Sequence, residues 1–402
     1  MASQRITEIS VTPIPAYFPH EIGRNAFRWS PGTTGVEWLV RARTEGGLEA
    51  LGNAMRHLWV DGDGSVESLV RLLREVLLGR RVDEFLHVSC GRVVGPTREA
   101  NRVFRNHPWM SVLAYDLTAR ELGVSCIELL GGKKRDRVDA YDTTLYFDDL
   151  RVPEKGVGQV VEEAGDALKA GYRQMKMKTG RGGRWMAPEA GMRRDVEVVQ
   201  AVRELAGPDV KIMVDANFGY DGRLDLLEDF IRETLPADVF WLEEMVKADL
   251  DAYRSIRRIQ ERLGSTALLV CGEVDEDYPM GDVYRDLVEG RLIDGYQPDI
   301  VWHGYVRWNE IQRLLEGAGV RCVPHCFHNG NYGRRASLIW GAASESFVSI
   351  EDERIAPNVY RQDAFTFENG SYAVADAHGL GLEVDEEIFQ SRYASNEVKI
   401  SV

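Results

Sequence analysis

Seven ionisable residues recur along the later two-thirds of this sequence at a nearly constant interval. They are Lys178, Asp215, Glu243, Glu273, Asp299, His325 and Glu351, separated by 37, 28, 30, 26, 26 and 26 residues. Each closes a short apolar run, and a step of that size holds one strand, one loop and one helix. In a barrel of parallel strands the C-terminal strand ends converge on one face, where barrel enzymes carry their chemistry. Carboxylates gathered in one mouth repel each other unless a cation is shared among them. Asp215, Glu243 and Glu273, from three adjacent strands, are hard oxygen ligands of the kind Mg2+ takes. Asn217, two residues past Asp215, is placed to assist them.

Lys176 and Lys178 flank Met177, so on a strand both ammonium groups face one way. Beside a divalent cation the two charges disfavour each other's protonation. This reading expects a lowered pKa at Lys178, which then serves as a general base near neutral pH. Lys176 is available to hold a substrate carboxylate. Asp299 and His325 end neighbouring strands, where a carboxylate orients the imidazole and raises its basicity, giving a second acid/base group. Glu351, on the last strand, is placed to hydrogen-bond an oxygen that gains charge during reaction. Glu244 is expected to point away from the site by strand alternation.

The elements that position these residues are legible from about residue 138. Apolar runs at 138–146, 174–178, 210–215, 239–243, 268–273, 293–299, 320–325 and 347–351 alternate with amphipathic stretches such as 195–205, 224–234, 253–263 and 308–315. Eight strand-like runs, each followed by a helix-like segment, read as a (β/α)8 barrel, an α/β fold. The 180–190 segment holds Gly180, Gly182 and Gly183 among basic residues, but neither the Walker nor the dinucleotide spacing is present, which argues against a phosphate loop. The first 135 residues lack the period. They show extended patterns at 6–14 and 37–42 and helical ones at 65–78, 98–104 and 113–122, so a small α+β domain precedes the barrel. The irregular tail is expected to pack back on that domain.

Composition narrows the function classes. Asp and Glu total 64 against 49 for Lys and Arg, a net charge of −15, which makes the chain a poor partner for nucleic acid or anionic membranes. Its N-terminus has no signal-peptide pattern and no apolar run is long enough to span a bilayer. Five scattered cysteines do not read as a disulfide framework. These features predict a cytoplasmic enzyme acting on a small molecule.

Lys-Met-Lys at 176–178, Val-Asp-Ala-Asn at 214–217, Leu-Glu-Glu at 242–244, Gly-Glu at 272–273, Gln-Pro-Asp at 297–299 and His325 together resemble the enolase superfamily, in particular its mandelate racemase-like subgroup. Ala-Tyr-Asp-Leu at 114–117, Leu-Leu-Gly-Gly at 129–132 and Gly-Leu-Gly-Leu at 379–382 resemble the family's connecting segments. The resemblance implies a modified TIM barrel, (β/α)7β, over residues 136–364. It also implies an α+β capping domain at 1–135, completed by a C-terminal segment at 365–402. Further implications are Mg2+ on Asp215, Glu243 and Glu273, and removal of a proton next to a carboxylate with the metal stabilising the enediolate. Lys178 then maps to one base, His325 oriented by Asp299 to the other, and Lys176 to the residue that tunes Lys178 and contacts the substrate carboxylate. Family members commonly form dimers or octamers, so a homo-oligomer is expected. Departures are His303 before Gly304, His378 in the tail motif, and a segment at 328–335 that looks enlarged.

Acid/base groups on two faces allow dehydration of an acid sugar, aldonic or aldaric, to a 2-keto-3-deoxy acid. They also allow racemisation, epimerisation or cycloisomerisation of a 2-hydroxy acid. Dehydration is the commoner activity in the resembled subgroup and is the reading adopted. Substrate choice is assigned to capping loops at 16–34 and 53–59, with His20, Arg24, Arg28, Trp29, Arg56, His57 and Trp59, and to His303 and His328. Two other readings stand beside it: a zinc site of Cys322, His325, Cys326 and His328, and a binding protein that kept the fold without the chemistry.

Overall fold

A computed structural model describes residues 3–402. The chain opens with a four-stranded antiparallel sheet. Its strands are β1 (Ile6–Ile22), β2 (Gly32–Thr44) and β3 (Glu49–Asn53), in the order β16-β1-β2-β3 with a strand from the far end of the chain. Helices α1 (Val66–Val76), α2 (Arg98–Asn106), α3 (Met110–Leu122) and α4 (Cys126–Leu129) follow, with a hairpin of β4 (Leu86–Ser89) and β5 (Arg92–Pro96) before α2. The predicted helices at 65–78, 98–104 and 113–122 are these α1, α2 and α3. Ser65 and Thr97 start the first two by accepting the N–H groups of Ser68 and Ala100, which satisfies donors that a helix start leaves free.

The barrel strands are β6 (Arg137–Leu145), β7 (Gln174–Lys178), β8 (Lys211–Asp215), β9 (Val239–Glu243), β10 (Leu268–Cys271), β11 (Gly295–Tyr296), β12 (Arg321–Cys322) and β13 (Ile350–Asp352). Neighbours pair in parallel from β6 through to β12, a parallel bridge joins Cys322 to Phe347, and β13 pairs with β6, so the ring closes. The connecting helices are α5 (Asp148–Arg151) with α6 (Val157–Lys169), α7 (Pro188–Ala206), α8 (Leu224–Thr234), α9 (Leu250–Leu263), α10 (Asp282–Glu289), α11 (Ile300–Ala318) and α12 (Gly330–Ala343). Seven helical connections join eight strands and no barrel helix follows the last, which is a (β/α)7β barrel. Strands β10, β11 and β12 stop short of Glu273, Asp299 and His325, although Asp299 and His325 still form a parallel bridge.

Strand alternation decides which residues enter the barrel. Met175 and Met177 join the core beneath the helices, and Tyr141, Met213, Trp241, Val270 and Val323 form a separate buried cluster drawn from four strands and the residue after β12. The residues that look enlarged at 328–335 are the approach to α12 and its first turn. Within α11, Gly304 breaks the helix at φ 62°, and a Cβ there would lie 2.0 Å from the Pro108 carbonyl. Any other residue would push the barrel away from the N-terminal end of α3.

The last segment divides its contacts. A hairpin of β14 (Phe367–Glu368) and β15 (Ser371–Ala373) pairs with β6 of the barrel. After α13 (Glu386–Arg392), strand β16 (Val398–Ser401) pairs antiparallel with β1. Asp116 of α3 ties the parts together, accepting the N–H of Leu51 at 2.8 Å and of Leu380 at 2.7 Å. Among the described residues no helix is long and apolar enough to cross a membrane.

Candidate active site

Register sets the first contacts. Lys178 is the pairing partner of Asp215, and Asp215 of Glu243, so three polar side chains stand in a row at the ends of β7, β8 and β9. Lys178 is hydrogen-bonded to Asp215 through Nζ and Oδ2. Lys176 Nζ lies 2.6 Å from Glu243 Oε1 and 2.9 Å from Glu351 Oε1. Trp241 donates to the other Glu243 oxygen at 3.0 Å. Glu273 completes the group, and single oxygens of Asp215, Glu243 and Glu273 lie within 4.8 Å of one another. Asn217 donates its backbone N–H to Asp215 at 2.9 Å, and its side-chain oxygen is buried with no partner.

This donor set fits a hard divalent cation. Counting Glu351 and Asp299, five carboxylates face two lysines and the His325 imidazolium, so two negative charges remain. Burial and the neighbouring carboxylates push the Glu243 carboxyl well above its ordinary value despite Lys176. Burial also opposes the Asp215 charge, but Lys178 and Lys176 more than offset it and hold its carboxyl low.

The lysines correct one expectation. Burial favours the neutral amine, yet Asp215 raises Lys178, and Glu243 with Glu351 raises Lys176 well above the ordinary value. Repulsion between the two ammonium groups does not dominate, because each has its own carboxylate at contact. Glu351 is also differently placed from expectation. It accepts from Thr143 at 2.7 Å and from the Cys326 N–H at 2.7 Å, and Lys176 and His325 hold it ionised against the cost of burial. An ionised carboxylate has no proton to give, so Glu351 orients Lys176 and the chain after His325.

His325 stands across the cluster. Its Nδ1 is 3.0 Å from Asp299 Oδ2, and its Nε2 is 3.4 Å from Glu273 and 3.7 Å from Glu351. Burial disfavours the imidazolium, but Glu273, Glu351 and Asp299 push His325 up to about 10. Asp299 is itself fixed, accepting the N–H groups of Val301 and Trp302 at the start of α11 and an Asn329 side-chain N–H at 2.6 Å.

The capping loop reaches this mouth through Arg28. Its Nη1 is 3.4 Å from His328 Nε2, and its guanidinium lies 5.1 Å from the centre of the Phe327 ring. Burial and Arg28 push His328 down to about 3, so its imidazole is neutral. Trp59 packs edge-on against the same ring. Arg24 instead lies against the touching rings of Trp29 and Trp185, and Arg56 pairs with Asp61 and Glu276. Two predicted substrate residues turn away. His57 faces Ser68 at 3.1 Å and packs edge-on against His107, because its helical turn points it into the capping domain. His303 is buried, 2.8 Å from the Asp275 carbonyl, since the break at Gly304 directs it under that loop.

Several residues escaped the sequence reading. Glu244 has φ 43°, leaves the strand alternation, and accepts the N–H groups of Gly272 and Glu273 at 2.8 and 2.9 Å. It therefore holds the chain that presents Glu273. Glu244→Gln is expected to weaken Mg2+ binding by about 10- to 100-fold, the usual cost of losing a ligand's support, with little change in melting temperature. Titration calorimetry with Mg2+ checks this. Tyr146, buried, lies with its ring 5.2 Å from Lys178 Nζ. The alternation of apolar and polar residues in 138–146 gives no sign of that placement.

The alternatives lose ground on contacts. Arg181, in the glycine-rich segment, is fully buried between Asp149 and Asp195, both at 2.7 Å, so it has no charge left for a phosphate. Gly180 and Gly183 there pack against the backbone of Gly219, where a Cβ would clash. Among the described residues, neither group of side chains able to share a metal includes a cysteine. Cys322 instead receives the Trp340 indole N–H at 3.3 Å.

Comparison with known proteins agrees with the fold. D-galactarolactone cycloisomerase of Agrobacterium fabrum is 28% identical over 300 residues, covering 69% of this chain and 71% of that protein. D-xylonate dehydratase of Haloferax volcanii is 25% identical over 382 residues, covering 89% of this chain and 86% of its own length. A galacturonate dehydratase from Geobacillus sp., crystallised with D-galacturonate and 5-keto-4-deoxy-D-galacturonate, superposes with a TM-score of 0.82 at 25% identity, over 99% of each chain. The Enolase C-terminal domain-like profile matches residues 159–388. With a match across more than half its length, a closed (β/α)7β barrel and acidic residues at the barrel mouth, this chain belongs to the Enolase C-terminal domain-like family and is an enzyme of the enolase superfamily.

Proposed function

We propose that this protein is a hydro-lyase that dehydrates an acid sugar to a 2-keto-3-deoxy acid, with Mg2+ on Asp215, Glu243 and Glu273. The observation that carries the reading is the placement of Lys178 and His325 on two flanks of one carboxylate cluster. The named relatives support it, since two are dehydratases of sugar acids. In the Geobacillus protein the two bound molecules differ by one water, removed from the carbons α and β to a carboxylate. A bound cation would place positive charge where the substrate carboxylate gains electron density.

The chain's own residues divide the proton work. Lys178 Nζ takes the proton from the carbon next to the carboxylate once its amine is neutral, and Asp215 sets how readily that happens. His325, kept as imidazolium by Asp299 and its acidic neighbours, gives its Nε2 proton to the departing β-hydroxyl. The C–O bond breaks with its electron pair on oxygen and water leaves. The enol product becomes the keto acid by taking a proton at the β-carbon and giving its hydroxyl proton to solvent. Lys178 ends with one proton more and His325 with one less, and exchange with solvent restores both. Residues 1–135 with the tail 365–402 form the cap in this reading, and 136–364 the catalytic unit.

The test is proton NMR of mono- and diacid sugar pools with enzyme and Mg2+ in D2O. New 3-deoxy signals with loss of one acid are the expected result. Exchange of the α-hydrogen alone would make the protein a racemase or epimerase, and isomerisation of a lactone would make it a cycloisomerase. Arg28→Ala is expected to raise KM for the preferred acid at least tenfold and change the order of preference across the panel. Mg2+ affinity should be unchanged, because Arg28 touches none of the three acids. Arg24→Ala, which removes a guanidinium held against two indoles, is expected to change that order less.

A further inference from the structure

A second group of metal-type donors lies outside the catalytic cluster, where the capping sheet meets the barrel. His20 is near the end of β1, Asp148 begins α5, and Glu163 lies in α6. Asp148 and Glu163 are 0% and 3% exposed. Each uses one oxygen locally. Asp148 Oδ1 accepts from Arg151 Nε at 2.5 Å, and Glu163 Oε1 accepts from Arg151 at 3.3 Å and from Gln159 at 2.8 Å. The remaining oxygens, Asp148 Oδ2 and Glu163 Oε2, are buried and have no hydrogen-bond partner.

One donor atom from each of the three residues lies within 4.8 Å of the others, and Glu163 Oε2 is 3.9 Å from His20 Nε2. Buried, unpartnered carboxylate oxygens facing one another are costly unless positive charge is shared between them. Burial and Asp148 accordingly push the Glu163 carboxyl up to about 8. Glu21, 3.7 Å from Arg151, adds a third carboxylate to the group. Against the single guanidinium the three carboxylates, once ionised, leave two negative charges, the charge of one divalent cation.

We propose that His20, Asp148 and Glu163 form a second divalent-cation site, selective for a transition metal of the Zn2+ or Mn2+ type over Mg2+. The imidazole nitrogen carries the selectivity, since Mg2+ prefers an all-oxygen shell and keeps its water. His20 Nε2–H donates to the Thr144 carbonyl at 3.1 Å; a bound ion would displace that proton and stand between the two atoms, since ligands bonded at about 2.1 Å to one tetrahedral ion lie roughly 3.4 Å apart. That carbonyl is therefore a fourth donor, and a third oxygen, within reach. The site has a mechanical consequence. A Cβ on Gly23 would meet Asp148 Oδ1 at 2.9 Å, and the Phe147 N–H donates to the Arg24 carbonyl at 3.0 Å. The chain that leads to Arg28 thus passes directly over the proposed ion, which would pin it to the barrel.

The probe is Co2+, titrated into the full-length Asp215→Asn protein, in which the catalytic cluster is disabled as a metal site. One equivalent is expected, with a visible absorption band of nitrogen and oxygen coordination. Adding Glu163→Gln, which keeps the side chain's shape, or His20→Ala, which alters a partly exposed position, is expected to lower that affinity at least tenfold. Far-ultraviolet circular dichroism confirms that each double variant is folded, and His20→Asn substitutes for either that is not. Absence of Co2+ binding to the Asp215→Asn protein, or unchanged affinity in either folded double variant, would overturn the proposal. None of these readouts depends on catalysis, so the proposal and the dehydratase reading fail separately.

Discussion

Replacing Lys178 by alanine is expected to lower kcat by about 10⁴-fold, equivalent to roughly 5 kcal/mol of barrier, and to stop exchange of the substrate's α-hydrogen with solvent deuterium. Lys178 is buried at the end of β7, and its amine is the only ammonium in hydrogen-bond contact with Asp215 among the described residues. Glu243 and Glu351 engage Lys176 instead, so Lys176 is not free to take its place. The same substitution removes a positive charge from beside Asp215. Mg2+ binding should therefore tighten or stay unchanged. Loss of turnover with retained metal, by single-turnover NMR and calorimetry on one preparation, separates a missing base from a collapsed site. Retained exchange at the α-carbon would show that another group removes the proton.

Asp299→Asn is expected to lower kcat by about 10²- to 10⁴-fold, the range seen when a histidine loses its orienting carboxylate. Asp299 Oδ2 faces His325 Nδ1 at 3.0 Å and the Asn329 side chain at 2.6 Å. An amide there offers one acceptor where the carboxylate gave two. It also removes one of the three carboxylates that raise His325 to about 10. The imidazolium is then lost at lower pH, so the alkaline limb of the kcat profile should move toward neutrality. Water loss should suffer while α-hydrogen exchange through Lys178 persists, and His325→Asn should show the same split without the pH shift. A fall in rate with an unmoved profile would make Asp299 a support for α11 alone, through its bonds to Val301 and Trp302.

Residue spacing alone carries the period of the barrel and the sidedness of its strands. A strand exposes alternate residues to opposite faces, so Lys-Met-Lys at 176–178 had to place both lysines together. The even spacing of the later strand ends required one helix per step. The acids at 215, 243 and 273 followed from that arithmetic, and so did the neighbourhood of Asp299 and His325. Which charges meet was decided only in three dimensions. Strand register, a long-range property, set Lys178 against Asp215 and Lys176 against Glu243, and so reversed the pKa shift that the lysine pair alone suggests. Alternation also stops where the strand stops. Asn217, Glu244 and His328 take φ values of 41°, 43° and 67° just beyond their strands, a region few side chains adopt. No local pattern announces those turns, because tertiary contacts hold them. Glu244 thereby swings to grip the Glu273 backbone, while the break at Gly304 buries His303 away from the mouth. The chain's periodicity chose the residues, and the backbone beyond the strand ends chose what each one touches.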